Sequence, residues 1–242
     1  GEGIIMLVDG KKIEKISKKI KILHGINISI NSQQICGLLG PNGAGKTSLF
    51  SILAGLSKPS DGEIFYDSKK VNNLSFEKRS DLGVIYLPQE PSVFRELTVE
   101  ENIRAALEAK KTHKKEIEKK MEEIADEFNL TSICRQKCNS LSGGQRRRVE
   151  IARAMALNPK LILLDEPFAG IDPLVISEIK ELIKNLKERK IGVLISDHNV
   201  KATLEICDFI YVINSGKVIA EGTANEITSN ELVKKVYLGD VI

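Results

Sequence analysis

The chain has 242 residues, of which 36 are basic and 33 acidic, for a net charge of +3. That length can bury a substantial core, as one large domain or as a domain carrying a subdomain. The near balance of charge argues against nucleic acid or anionic lipid as the main partner. No apolar run approaches the roughly 18 residues needed to cross a bilayer, so the expectation is a soluble chain that meets a membrane only through partners. Cys36 and Cys207 lie in apolar runs and read as small core residues. Cys134 and Cys138 have no nearby Cys or His to complete a ligand set, so reduced thiols are expected there rather than a metal site.

Residues 4–39 alternate short apolar runs with Lys, Asn, Ser and Gln. Ile26, Ile28 and Ile30 alternate with Asn27, Ser29 and Asn31, a period of two that predicts a half-buried strand. The stretch reads as a small β-layer leading into a buried strand, Gln34–Leu39, and Thr47–Leu56 reads as a helix. Between the two lies Gly40-Pro41-Asn42-Gly43-Ala44-Gly45-Lys46-Thr47, followed by Ser48. It fits G-x-x-x-x-G-K-[ST] at every fixed position. A triphosphate needs a concave ring of backbone N–H donors, and glycines let the backbone curl that closely. Lys46 can reach the β- and γ-phosphates as a point charge, and the Thr47 hydroxyl can ligate Mg²⁺. Strand, glycine loop and helix N-terminus together form an anion site.

Further along, Pro59–Gly62 is a turn, Glu63–Tyr66 a short strand and Gly83–Leu87 an apolar strand ending at Pro88-Gln89-Glu90. From Thr98 to Leu130 there is neither Gly nor Pro. Val99, Ile103 and Leu107 form one helical stripe, and Ile117, Met121, Ile124 and Phe128 a second. The division expected is 4–89 for the first part of an α/β core, 90–157 for an inserted helical subdomain and 158–242 for the rest of the core. Ser142 can cap the helix that follows it, and Gly143 and Gly144 bare its backbone N–H groups as a second anion-binding terminus. Arg146-Arg147-Arg148 reads as a helix face that pairs locally or meets a partner. Leu161–Leu164 is a strand buried on both faces, and it delivers Asp165 and Glu166 at its end. One carboxylate suits a metal, and the next suits orienting and deprotonating a water. Helix 174–188, strand 191–195, another helix, strand 209–213 and a further strand follow, the pattern of a largely parallel sheet. A charged C-terminal helix is expected to close the chain.

Gly40–Thr47, Leu141-Ser142-Gly143-Gly144-Gln145 and Leu161–Glu166, in that order, resemble the Walker A, signature and Walker B motifs of ABC-transporter ATPase subunits. The resemblance covers nearly the whole chain. It implies an ATP-hydrolysing cassette with a RecA-like core of mostly parallel strands, an antiparallel β-layer and an inserted helical subdomain. It also implies a catalytic and metal-side role for Gln89, a D-loop at Ala169–Asp172 with Asp172 near nucleotide, and a γ-phosphate contact at His198. ATP and Mg²⁺ would be held by Gly40–Ser48, with Thr47, Gln89 and Asp165 on the metal. A homodimer follows from the same resemblance, with Ser142–Gln145 of one subunit facing the P-loop of the other.

Tyr86–Glu90, Arg146–Ala154, Glu166–Pro173, Asp197–Val200 and Val236–Asp240 are similar to the lipopolysaccharide export ATPases of the LptB type. Two transmembrane permease subunits would then dock near Phe94 and Arg95, holding the chain on the cytoplasmic face of the inner membrane. Branched-chain amino-acid importer ATPases share the C-terminal ending and are the alternative. Soluble ABC ATPases of DNA repair or translation fit less well, because fewer than a hundred residues separate Thr47 from Leu141 and the chain carries one cassette. One departure stands out. The family usually stacks an aromatic ring on adenine near Ile16 or Ser17, but no Phe, Tyr or Trp precedes Phe50. Ile16, Ile22 or His24 would serve as a poorer platform.

Overall fold

The computed structural model describes residues 5–90 and 92–239. Two sheets organise it. Strands β1 (Leu7–Ser17), β2 (Ile20–Asn31), β4 (Asp61–Tyr66) and β5 (Lys69–Lys70) form an antiparallel sheet in the order β2-β1-β4-β5. Ile26, Ile28 and Ile30 are buried on its inner face, as the period of two requires.

The second sheet has six strands in the order β10-β9-β3-β8-β7-β6. These are β3 (Ile35–Leu39), β6 (Val84–Leu87), β7 (Leu161–Asp165), β8 (Gly192–Ser196), β9 (Phe209–Asn214) and β10 (Lys217–Gly222). All its pairings are parallel except β9 with β10. Strands β3 and β8 are buried at every residue, because helices cover one face of the sheet, and a helix together with the antiparallel sheet covers the other, leaving no solvated side. The carboxyl ends of β3, β7 and β8 therefore open on one edge, where ligands of such sheets bind.

Helix α1 (Lys46–Ala54) follows β3 directly, and α2 (Phe76–Asp81) precedes β6. Between β6 and β7 the chain runs through α3 (Val99–Ala109), α4 (Lys114–Glu127) and α5 (Gly143–Met155). Thr98 and Glu101 form a capping box at the start of α3. Val99, Ile103 and Leu107 are buried on α3, and Ile117 and Met121 on α4. Helices α6 (Pro173–Glu188) and α7 (Val200–Ile206) flank β8.

The expected single C-terminal helix is corrected. It divides into α8 (Ala224–Ser229) and α9 (Glu231–Val233), which runs on as a π-turn through Leu238. Asn230 makes the break: its backbone is extended, and its side chain accepts from the Val233 N–H at 3.1 Å to start the next turn. Asp240 lies outside the described residues.

Candidate active site

The loop after β3 needs glycine because of what surrounds it. A side chain at Gly40 would meet the Ile213 carbonyl oxygen at 2.0 Å, and one at Gly45, where φ is 106°, would meet Leu23 at 2.6 Å. Gly45 caps α1 with no side-chain acceptor, so the first-turn N–H groups remain available to an anion. They open into a cavity of about 350 Å³ lined by Asn42–Ser48 with Ile22, Glu166 and His198. Pro41 and Gly40 are outside the lining, and their carbonyls accept from Lys46 Nζ, the Pro41 contact being 3.2 Å. Burial lowers the pKa of Lys46, and the charges of Glu166 and Asp165 oppose that shift.

Strand β7 brings Asp165 and Glu166 to the same edge. Glu166 turns the chain at a φ of 50°, uncommon for a residue with a side chain, and its N–H donates to the Ser196 carbonyl at 2.7 Å. Its Oε1 lies 2.8 Å from His198 Nε2; the glutamate side chain is 16% exposed and the histidine 59%. Burial pushes the Glu166 pKa up, His198 pulls it down, and Asp165 and Asp197 add to the rise. Asp165 is also raised by burial, with the Tyr86 hydroxyl donating to its Oδ2 at 3.2 Å. Thr47 and Asp165 offer a hydroxyl and a carboxylate, hard oxygen donors of the kind Mg²⁺ takes.

Other expected residues stand apart from the cavity. Gln89 is exposed and outside its lining, and among the described residues only its backbone carbonyl is engaged, by Arg147 Nη2 at 3.2 Å. Asp172 caps α6, accepting from the Leu174 N–H at 2.9 Å. Ser142 and Gln145 close a capping box on α5 and do not line the cavity. A side chain at Gly143 would lie 2.8 Å from the Gly170 carbonyl, and one at Gly144 2.7 Å from Val175. The signature glycines are thus packed against the D-loop and α6 of their own chain.

Three supporting roles escaped the sequence reading, which named Arg147 and Asp197 only within longer segments and did not single out Asn102. Arg147 is buried, pairs with Glu150 at 2.6 Å and donates to the carbonyls of both Gln89 and Glu166. Asp197 accepts from the N–H groups of Phe168 and Asn199, fixing the turn that carries His198. Asn102 is buried on α3 and bonds both backbone groups of Phe94. Arg147 and Asp197 also act on segments distant in sequence, at Gln89, Glu166 and Phe168, which no local pattern marks. Arg148 pairs with Glu178 at 2.7 Å, so Arg147 and Arg148 of the clustered arginines both form ion pairs within the chain.

Phe94 is 53% exposed at a groove of about 420 Å³ shared with Phe76, Leu87, Ala105 and Arg153. The Arg153 guanidinium lies 5.0 Å from the Phe94 ring centre.

A family model for ABC transporters matches residues 23–169, from β2 through the carboxylates of β7. The chain belongs to the ATP-binding cassettes of ABC transporters. A model described as a branched-chain amino acid ATP-binding cassette transporter matches residues 217–241 of the cassette. The cassette is 46% identical over 97% of its length to a lipopolysaccharide export ATP-binding protein of Haemophilus influenzae, covering 98% of that protein. For the Escherichia coli K12 protein of the same name the identity is 44%, over 95% of the cassette and 96% of the relative. The ADP conformation of an ATP-binding cassette of an ABC transporter superposes with a TM-score of 0.87 at 28% identity, covering 97% of this chain and 99% of that one. A dimeric bacterial cassette superposes with a TM-score of 0.78 at 28% identity, covering 90% of this chain and 98% of that one. Among the described residues no helix is long and apolar enough to cross a membrane.

Proposed function

We propose that this cassette is the ATP-hydrolysing subunit of a lipopolysaccharide exporter, working as a homodimer beneath two transmembrane subunits on the cytoplasmic face of the inner membrane. The observation that carries the reading is 46% identity spread over essentially the full length of a relative of that name. Because the similarity extends across both ends of the cassette, it includes the Phe94 segment as well as the nucleotide site. The match at residues 217–241 favours a second reading, a branched-chain amino-acid importer.

In the proposed cycle Lys46 leaves the Gly40 and Pro41 carbonyls for the phosphates of ATP, and the α1 N–H groups hold them. Thr47 and Asp165 are the groups that would hold Mg²⁺, which when bound neutralises charge on the phosphate oxygens. Glu166 accepts the proton of the attacking water, and His198, in contact with Glu166 at 2.8 Å, orients it and reaches the γ-phosphate. Gln89 joins the metal side only after its exposed segment moves in. Ser142–Gln145 and Asp172, away from the cavity of their own subunit, serve the nucleotide of the partner. Residues 90–157 act as the helical subdomain that carries the signature.

The transmembrane subunits dock at the Phe94 groove beside Arg95. Co-expression with the two membrane subunits tests both parts. Phe94→Ala is expected to cut recovery of the complex severalfold while nucleotide affinity of the isolated cassette stays within twofold; loss of nucleotide binding would sink the groove assignment. ATPase activity of the reconstituted complex is expected to respond to lipopolysaccharide. A response to branched-chain amino acids and their binding protein instead would establish the second reading.

A further inference from the structure

Tyr86 has been given no role of its own so far, yet its side chain contacts both Asp165 at the end of β7 and Phe50 on α1. It stands on β6, in parallel register with Leu163 of β7 and two residues before the Asp165 level. Its ring packs against Phe50, with centroids 6.3 Å apart and planes at 52°. Phe50 is fully buried on α1, three residues beyond Thr47, so its place is fixed by the helix that carries the Thr47 hydroxyl. At its far end the phenol donates to Asp165 Oδ2 at 3.2 Å.

The Tyr86 hydroxyl does two things to Asp165. It occupies one carboxylate oxygen, which leaves Oδ1 as the free donor atom, and it limits rotation of the carboxylate. The ring, wedged on Phe50, sets the separation between α1 and the end of β7. A carboxylate held in one rotamer binds a small cation without first losing that freedom, the same advantage that hydrogen-bonded partners give ligating groups elsewhere. Mg²⁺ demands near-ideal octahedral oxygen geometry, and Mn²⁺ takes the same oxygen octahedron, while Ca²⁺ accepts looser sites.

We propose that Tyr86 is a positioning residue for the divalent cation, spacing Asp165 from Thr47 through its ring on Phe50 and its hydroxyl on Asp165. The inference rests on the nucleotide-site reading of Thr47 and Asp165. Its effect falls on cation affinity and choice rather than on phosphate binding by the loop.

Tyr86→Phe keeps the ring and removes the hydroxyl. Binding of a fluorescent ATP analogue in EDTA is expected to stay within twofold of the parent, because the loop is untouched. Mn²⁺ binding to the ADP-bound cassette, followed by electron paramagnetic resonance, is expected to weaken about three- to tenfold. The Mg²⁺ concentration for half-maximal ATPase should rise by a similar factor, with the Ca²⁺ requirement changed less. An unchanged Mn²⁺ constant overturns the proposal, and so does an equal loss in the EDTA binding assay, which would mark general collapse of the site. A parent chain that binds no nucleotide overturns the functional reading itself, and the two failures are told apart by that first measurement.

Discussion

Glu166 enters the cavity from a backbone turn at φ 50° and meets His198 at 2.8 Å. A positioned base is worth ~10²–10⁴ in rate. Glu166→Gln is therefore expected to lower kcat by that range with nucleotide affinity preserved, and single-turnover ATPase with parallel binding assays checks it. The same burial sets a pH dependence. Because desolvation raises the Glu166 pKa, the base loses its charge at a higher pH than an ordinary glutamate. Activity is then present above the raised value and falls away as the pH drops through it. His198 pulls that pKa down, so His198→Gln should shift the acid limb of the residual rate to higher pH. A limb that stays put would show that the histidine does not act on the carboxylate electrostatically.

Helix α3 does more than cover the sheet. Asn102 accepts from the Phe94 N–H at 2.8 Å and donates to the Phe94 and Thr98 carbonyls and to Cys138 Sγ. The segment it clamps also pairs with the chain before the signature: Cys138 N–H donates to the Leu97 carbonyl and Asn139 N–H to that of Arg95. One buried amide thus ties the groove residue to the stretch leading into Ser142. Asn102→Leu leaves several of these groups unpaired, at ~1–3 kcal/mol for each that stays dry. A loss of about 3 kcal/mol in urea unfolding is the expected result; a loss below about 1 kcal/mol would mean that water replaces the amide.

Across the whole molecule, the strands with regular burial were legible because alternation and unbroken apolar runs are local signals. The phosphate loop was legible because its glycines answer to backbone crowding at fixed spacing. Helix α2 and the two-residue β5 were not, since neither carries a long enough pattern. The break at Asn230 was missed because one asparagine can sit within a helix or cap a new one. Gln89, Arg147 and Asp197 show the same limit within the site: their positions depend on loops and helices brought together by the sheet. The absent adenine ring, by contrast, was plain in the sequence. Ile22 lines the cavity, Ile16 is 51% exposed near the hairpin tip, and no Phe or Tyr is among the residues lining the cavity. Stacking on a ring is worth ~1–3 kcal/mol per base. Steady-state kcat/KM for GTP is accordingly expected within about tenfold of that for ATP, and a hundredfold preference for ATP would require another source of base recognition.

The engagement of Lys46 with the Gly40 and Pro41 carbonyls bears on which anions the loop rejects. A ligand that recruits this ammonium exchanges one set of partners for another. Inorganic phosphate or sulfate brings a single tetrahedral group to that exchange, whereas a nucleotide tail brings several along the length of the loop. On the nucleotide-site reading proposed above, a polyphosphate therefore offsets the loss of the lysine's carbonyl partners with more contacts than a single tetrahedral anion can make.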